Sequence, residues 1–263
     1  MHTVKSTDGT IISYEKSGTG PPLVLLHGAG LDLKFWDLSG VRSSLEEHAT
    51  VYAVDRRGRH ESSDGQVYSL DREIEDVAAL VDMIGEPVTL LGHSYGALIA
   101  LEAGPRVPNL RGLIIYEPFT LEEGIPFLQH HYEEIQGMLA RGEKEQALIY
   151  DLSGVAMPED AFEAYRSYPS WPKIVDAADT LPREYKALIE YRFDDQKFKS
   201  LTTPTLLLMG GAEPPPLVEA TKTIHRTLPD SRLVVFDGHG HWAMNSATDR
   251  FIEEVTKFIH ELG

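Results

Sequence analysis

The run Val88-Thr89-Leu90-Leu91-Gly92-His93-Ser94-Tyr95-Gly96-Ala97-Leu98-Ile99-Ala100 constrains the chain more than any other stretch. A short apolar strand enters a Gly-x-Ser-x-Gly turn and leaves it as an apolar helix. Such a turn forces its central residue into unfavourable backbone angles and lifts the side chain clear of the sheet. The residues on either side must then be small, which Gly92 and Gly96 provide. Five residues of this pattern also occur in ordinary glycine-rich turns. The strand before and the helix after are what make Ser94 a candidate nucleophile.

A serine hydroxyl needs partners. Pro21-Pro22-Leu23-Val24-Leu25-Leu26-His27-Gly28-Ala29-Gly30 reads as a buried strand that breaks into a glycine-rich loop. A loop of this kind turns a backbone N–H toward developing negative charge without side-chain interference. The candidate donors are the N–H groups of Ala29 and Tyr95, the latter at the start of the helix after Ser94. His27 reads as a brace for that loop rather than a base. Near the C-terminus, the strand-like Arg232-Leu233-Val234-Val235-Phe236 runs into Asp237-Gly238-His239-Gly240-His241-Trp242, where two histidines compete for the role of base.

These motifs, in this order, make the chain resemble the α/β-hydrolase superfamily over nearly its whole length. The matching elements are His27-Gly28-Ala29-Gly30, Gly92-His93-Ser94-Tyr95-Gly96 and Gly238-His239-Gly240-His241. The resemblance implies a Ser, acid, His order and assigns the base to His241, with His239 a loop residue. Asp55-Arg56-Arg57-Gly58-Arg59-His60-Glu61-Ser62 is similar to the family's Asp-x-Arg-Gly-x-Gly-x-Ser loop, with His60 in place of the second glycine. The family's usual acid position, after the strand Thr205–Met209, falls on Glu213, where the family favours Asp. A second position, used in some branches such as certain haloalkane dehalogenases, falls on Glu117 in Leu113-Ile114-Ile115-Tyr116-Glu117-Pro118. A carboxylate among those neighbours is expected to be buried and to require a partner such as an imidazolium. Burial favours Glu117 as the acid, with Glu213 as the alternative.

The coarse pattern is alternating strand and helix. An opening hairpin around Asp8-Gly9 is followed by strands near 23–26, 51–54, 88–93, 113–117, 205–209 and 233–236. Helices are expected over 35–47, 68–84, 217–228 and 250–262, and Ile74, Val77, Leu80, Val81 and Ile84 share one face. Alternation of this kind predicts an α/β fold, a mostly parallel sheet flanked by helices, with catalytic groups at the carboxyl ends of the strands. Residues 119–200 break the alternation. Helical patterns recur there between Pro158, Pro169, Pro172 and Pro182, with no buried strand. The expectation is a core of residues 1–118 and 201–263, with 119–200 a helical cap inserted between two core strands. Phe119 and Trp171 are the candidate substrate-binding residues of that cap; Phe127, His130 and Tyr165 are also candidates to line it.

With 263 residues and 42% hydrophobic content, the chain is long enough for a sizeable core and unlike a disordered segment. Its 24 basic and 41 acidic residues give a net charge of −17, which argues against nucleic-acid or anionic-membrane partners. There is no cysteine, so thiol catalysis and disulfides are excluded. The polar N-terminus lacks a signal-peptide core, and no stretch approaches the roughly 18 apolar residues of a span; a cytoplasmic protein is the expectation. Neither a metal nor an organic cofactor is expected. His130-His131 beside Glu133-Glu134 reads as a polar helix face. The expected partner is a small ester-like substrate. Lactone hydrolysis, carbon–carbon bond hydrolysis and cofactor-free perhydrolysis use similar machinery, and a non-catalytic small-molecule receptor could be built on the same scaffold. Haloalkane dehalogenation needs a carboxylate nucleophile where Ser94 stands.

Overall fold

The strands at the centre of the chain are apolar on both faces, which suits a sheet covered by helices on both sides. The computed structural model describes residues 1–120 and 122–263. Eight strands form one sheet: β1 (His2–Lys5), β2 (Ile11–Gly18), β3 (Pro22–Leu26), β4 (Thr50–Val54), β5 (Val88–His93), β6 (Leu110–Tyr116), β7 (Thr205–Gly210) and β8 (Ser231–Phe236). Their order is β1-β2-β4-β3-β5-β6-β7-β8. The β1–β2 and β2–β4 pairs are antiparallel and the other pairs are parallel. After β3 the chain first builds outward to β4, then returns to lay β5 on the other side. Strand order therefore reverses at β3 and β5, and a crevice opens beyond their carboxyl ends.

The core helices are α1 (Val41–Glu46), α2 (Leu70–Ile84), α3 (Tyr95–Ala103), α10 (Pro215–Thr227) and α12 (Thr248–Glu261), with the insertion helices α4–α9 between α3 and α10 and a short α11 (Ala243–Ser246) before α12. In α2, Ser69 accepts the Arg72 N–H as N-cap and Gly85 closes the helix at φ 72°. Ile74, Val77, Leu80 and Val81 form its buried stripe. All nine residues of α3 are buried, as a helix sandwiched at the molecular centre requires.

The expected single helix over 35–47 is instead a 3-10 segment, Leu33–Gly40, followed by α1. Ser39 and Gly40 take positive φ and break the path between them. Pro215 and Pro216 occupy the first turn of α10, where a missing N–H costs nothing.

Between β6 and β7 the described residues hold helices and no strand: α4 (Ile125–Ala140), α5 (Lys144–Gly154), α6 (Glu159–Arg166), α7 (Trp171–Asp176), α8 (Leu181–Glu190) and α9 (Asp195–Phe198). The helical patterns of this stretch become short helices, with α8 and α9 separated by residues 191–194. Pro182 stands in the first turn of α8. The insertion is fastened to the rest of the chain by buried polar groups. Glu184 of α8 accepts from Arg56 Nη2 at 2.6 Å and from Arg59 Nη2 at 2.6 Å, and all three side chains are buried. Tyr165 of α6 donates to Asp32 Oδ1 at 2.9 Å and accepts the Asp32 N–H at 3.0 Å.

Removing Glu184 leaves the buried Arg59 guanidinium without its carboxylate and Arg56 with Glu73 as its remaining one. Glu184→Ala is expected to lower the unfolding free energy by about 3–5 kcal/mol. Chemical denaturation measures this, and a loss below about 1 kcal/mol would contradict the importance given to the fastening.

His60 sits where its motif normally has glycine and keeps the shape that glycine would take, with φ 43°. Its Nδ1 lies 3.1 Å from Asp55 Oδ2, which holds the ring in that strained position. Asp32, Asp55 and His60 each bring a potential ligand atom within 4.8 Å of the others, a cluster that sequence spacing does not reveal. Asp55 is already occupied by the Leu33 N–H, the Glu61 N–H and His60. Among the described residues no helix is long and apolar enough to cross a membrane.

Candidate active site

Ser94 joins β5 to α3 with φ 55° and ψ −116°, a conformation that L-residues avoid. Its N–H donates to the Tyr116 carbonyl at 2.9 Å, and its own carbonyl accepts from Ala97 and Leu98 at 3.0 and 3.1 Å. The corner is bound to the neighbouring strand and to the following helix at once. A Cβ on Gly92 would stand 2.7 Å from Ala97 Cα, and one on Gly96 would stand 2.6 Å from the His27 carbonyl. Both glycines are therefore required by close backbone approach at the turn.

The loop after β3 lies directly against this corner. A Cβ on Gly28 would come within 3.2 Å of Ser94 Cβ. Ala29 and Ser94 line one cavity. Tyr95 is the first residue of α3, so its N–H has no intrahelical carbonyl to meet. His27 is fully buried. It accepts the Arg56 N–H at Nε2, 3.3 Å, and its Nδ1 meets the Gly28 carbonyl at 2.9 Å, so Nδ1 carries the proton. Burial, reinforced by the Arg56 charge, holds its pKa well below the ordinary imidazole range. A neutral ring bracing the backbone is what the sequence suggested for it.

His241 and Glu117 meet although 124 positions separate them. His241 Nδ1 lies 2.5 Å from Glu117 Oε2, and both side chains are buried. Glu117 follows β6 at φ 48°, and this strained residue turns its carboxylate under the histidine. Its other oxygen accepts the Gly210 N–H at the end of β7, at 2.5 Å. Both oxygens thus have a donor, and with Nδ1–H donating, the free lone pair of the imidazole is on Nε2. Nε2 has no hydrogen-bond partner among the described residues, and the ring lines the same cavity as Ser94.

The backbone carrying His241 is itself supported. His93 Nε2 donates to the His241 carbonyl at 2.9 Å, and Tyr116 donates to the Gly240 carbonyl at 2.6 Å. Burial, together with the nearby His241, keeps His93 neutral, with its pKa well below the ordinary range. His93 and Tyr116 escaped sequence reasoning as supports. Only their places, one before Ser94 and one before Glu117, mark them.

Glu213 lies beside this pair rather than in it. It is partly buried and makes no hydrogen bond to His241 Nδ1, and a Cβ on Gly240 would stand 2.6 Å from its Oε1. Burial first, and then the charge of Glu117, raises its pKa. His239 is turned to Ser246 Oγ at 2.9 Å and stays outside the cavity.

Of the two substrate-binding candidates, Phe119 faces the cavity over Ser94 and Trp171 does not. The Trp171 indole is buried against Phe162 and Tyr165, and its N–H donates to Glu145 at 3.1 Å. Trp171 belongs to the insertion's own core, and the expectation for it is corrected accordingly. Tyr165 is likewise engaged with Asp32, and His130 is exposed. The cavity over Ser94 holds about 30 Å³, and a second one of about 150 Å³ adjoins it. Phe119, Phe127, Val155 and His241 line both. The Phe119 and Phe127 rings stack with an interplanar angle of 2° and centroids 6.1 Å apart, forming part of the wall between them.

Known proteins share this arrangement of strands. Residues 23–254 match the alpha/beta hydrolase family. An alpha/beta hydrolase from Sphaerobacter thermophilus superposes with a TM-score of 0.75 at 31% identity, covering 95% of this chain and 99% of that one. An esterase from Rhodococcus sp. ECU1013 superposes with a TM-score of 0.76 at 25% identity, covering 100% and 99%. A pimeloyl-[acyl-carrier protein] methyl ester esterase from Aeromonas hydrophila is 28% identical over 94% of this chain and 99% of its own length. With the sheet order and the strand-to-helix corner at Ser94, these likenesses establish that the chain belongs to the alpha/beta hydrolase family.

Proposed function

We propose that the protein is a serine hydrolase that cleaves carboxylic esters through an acyl-enzyme on Ser94. The observation that carries this reading is the pairing of His241 Nδ1 with the buried Glu117, which leaves an imidazole with a free Nε2 in the cavity that Ser94 lines. Similarity to an esterase and to a methyl ester esterase supports the bond class.

In this mechanism Ser94 Oγ attacks the ester carbonyl carbon as its proton passes to His241 Nε2. Glu117 stabilises the imidazolium and keeps the ring oriented. The N–H groups of Ala29 and Tyr95 receive the oxyanion. Collapse of the tetrahedral intermediate breaks the carbon–oxygen bond, and His241 gives its proton to the departing alkoxide. Water then adds to the acyl-enzyme, losing a proton to His241, and a second collapse returns that proton to Ser94 and frees the acid. The test is a screen of p-nitrophenyl esters with rapid mixing and intact-protein mass measurement. The reading expects an acyl adduct on Ser94 that forms and decays at rates compatible with turnover. Hydrolysis without an adduct, or an adduct elsewhere, would overturn it.

Residues 119–200 act in this scheme as a cap that selects substrates without taking part in bond chemistry. Phe119→Ala removes part of the wall between the two cavities. The ratio of kcat/KM for a long-chain ester to that for an acetate is expected to rise about tenfold or more, the scale on which apolar pocket contacts discriminate. An equal loss on every chain length, in folded protein, would count against the cap's selective role.

A further inference from the structure

We infer that the cavity over Ser94 takes a substrate carrying a protonated amine, and that Asp151 Oδ2 is the group that receives it. This rests on the hydrolase reading for turnover, but not for binding. Asp151 projects from α5 into the cavity and is 4% exposed. Tyr185 of α8 donates to its Oδ1 at 2.6 Å and fixes the rotamer. Oδ2 has no hydrogen-bond partner among the described residues. No lysine or arginine of the described residues lies within ion-pair distance of the carboxylate. Arg59, the guanidinium that acts on it electrostatically, is held by Glu184.

An unpaired carboxylate among apolar walls is costly, and a cationic ligand group is the partner that repays the burial. Burial raises the Asp151 pKa to about 6, so the group is ionised at pH 8. The adjoining cavity carries the same sign: Glu123 and Glu213 line it, and no lysine or arginine of the described residues lines either space. Phe119, Phe127 and Trp242 add aromatic lining, a setting compatible with a cation. A carboxylate-bearing substrate would meet three acidic groups in these two cavities.

The first experiment uses Ser94→Ala protein at pH 8 and calorimetric titration with benzylammonium and with benzyl alcohol, its uncharged counterpart. Benzylammonium is expected to bind about tenfold tighter or more, and that preference to vanish in Ser94→Ala/Asp151→Asn. Asparagine keeps the shape and an acceptor for Tyr185. Equal binding of the two probes in Ser94→Ala protein overturns the inference, whether or not the double variant folds.

The second experiment compares ω-amino acid ethyl esters of two to six carbons with the alkanoate esters of the same shape. At the best length the amino ester is expected to win about tenfold in kcat/KM, with the ratio falling at least about tenfold in Asp151→Asn. Ester hydrolysis with no amine preference at any length overturns the inference and leaves the hydrolase reading standing. Asp151-dependent benzylammonium binding without hydrolysis of any ester supports the inference and overturns the assignment of Ser94.

Discussion

Glu117→Gln is expected to lower kcat for a carboxylic ester by about 10⁴ while the protein stays folded. The size follows from what glutamine does at that place. One Glu117 oxygen accepts the Gly210 N–H and the other accepts from His241 Nδ1. An amide keeps its oxygen on Gly210 and turns its NH₂ group toward the histidine. Nδ1 must then accept, and the ring proton moves to Nε2, where a base needs a lone pair. Glu213→Gln is expected to cost less than about tenfold, because Glu213 lies beside the His241 loop without bonding Nδ1. Steady-state kinetics of the two variants, with thermal unfolding as the check on folding, decides between them. A large loss in Glu213→Gln and a small one in Glu117→Gln would return Glu117 to a structural role.

Ser94→Ala is expected to reduce kcat further, by about 10⁶, the scale found for loss of a triad nucleophile. Little change in stability should accompany it. The strained backbone of residue 94 is set by Gly92, Gly96 and the bond to the Tyr116 carbonyl, none of which uses the hydroxyl. In the proposed mechanism the residual rate would report what the Ala29 and Tyr95 N–H groups achieve with bound water.

Local chemistry made much of this legible beforehand. The Ser94 corner, the glycine-rich loop at Ala29 and each of the alternating strands are written in a few consecutive residues, so periodicity and turn chemistry suffice. The burial of Glu117 was approachable because a strand end is readable from Leu113, Ile114 and Ile115. Its contact with His241 spans 124 positions and needed the folded sheet.

The misses have physical causes. Trp171 has the composition of a pocket residue, but an insertion of short helices needs its own core, and the largest side chain went there. Ser39 broke an otherwise helical pattern by taking φ 54°, which no periodicity forecasts. Asp151 gave no signal at all, since a single acid on a short helix usually faces water; packing of α5 against α4 and the bond from Tyr185 of α8 hold it inward.

The most direct test of the central claim is reaction with a fluorophosphonate followed by peptide mapping. The account predicts one equivalent bound per chain, on Ser94, with labelling slowed by orders of magnitude in His241→Ala and abolished in Ser94→Ala. A folded protein that reacts no faster than free serine, or that keeps its label in Ser94→Ala, would contradict it.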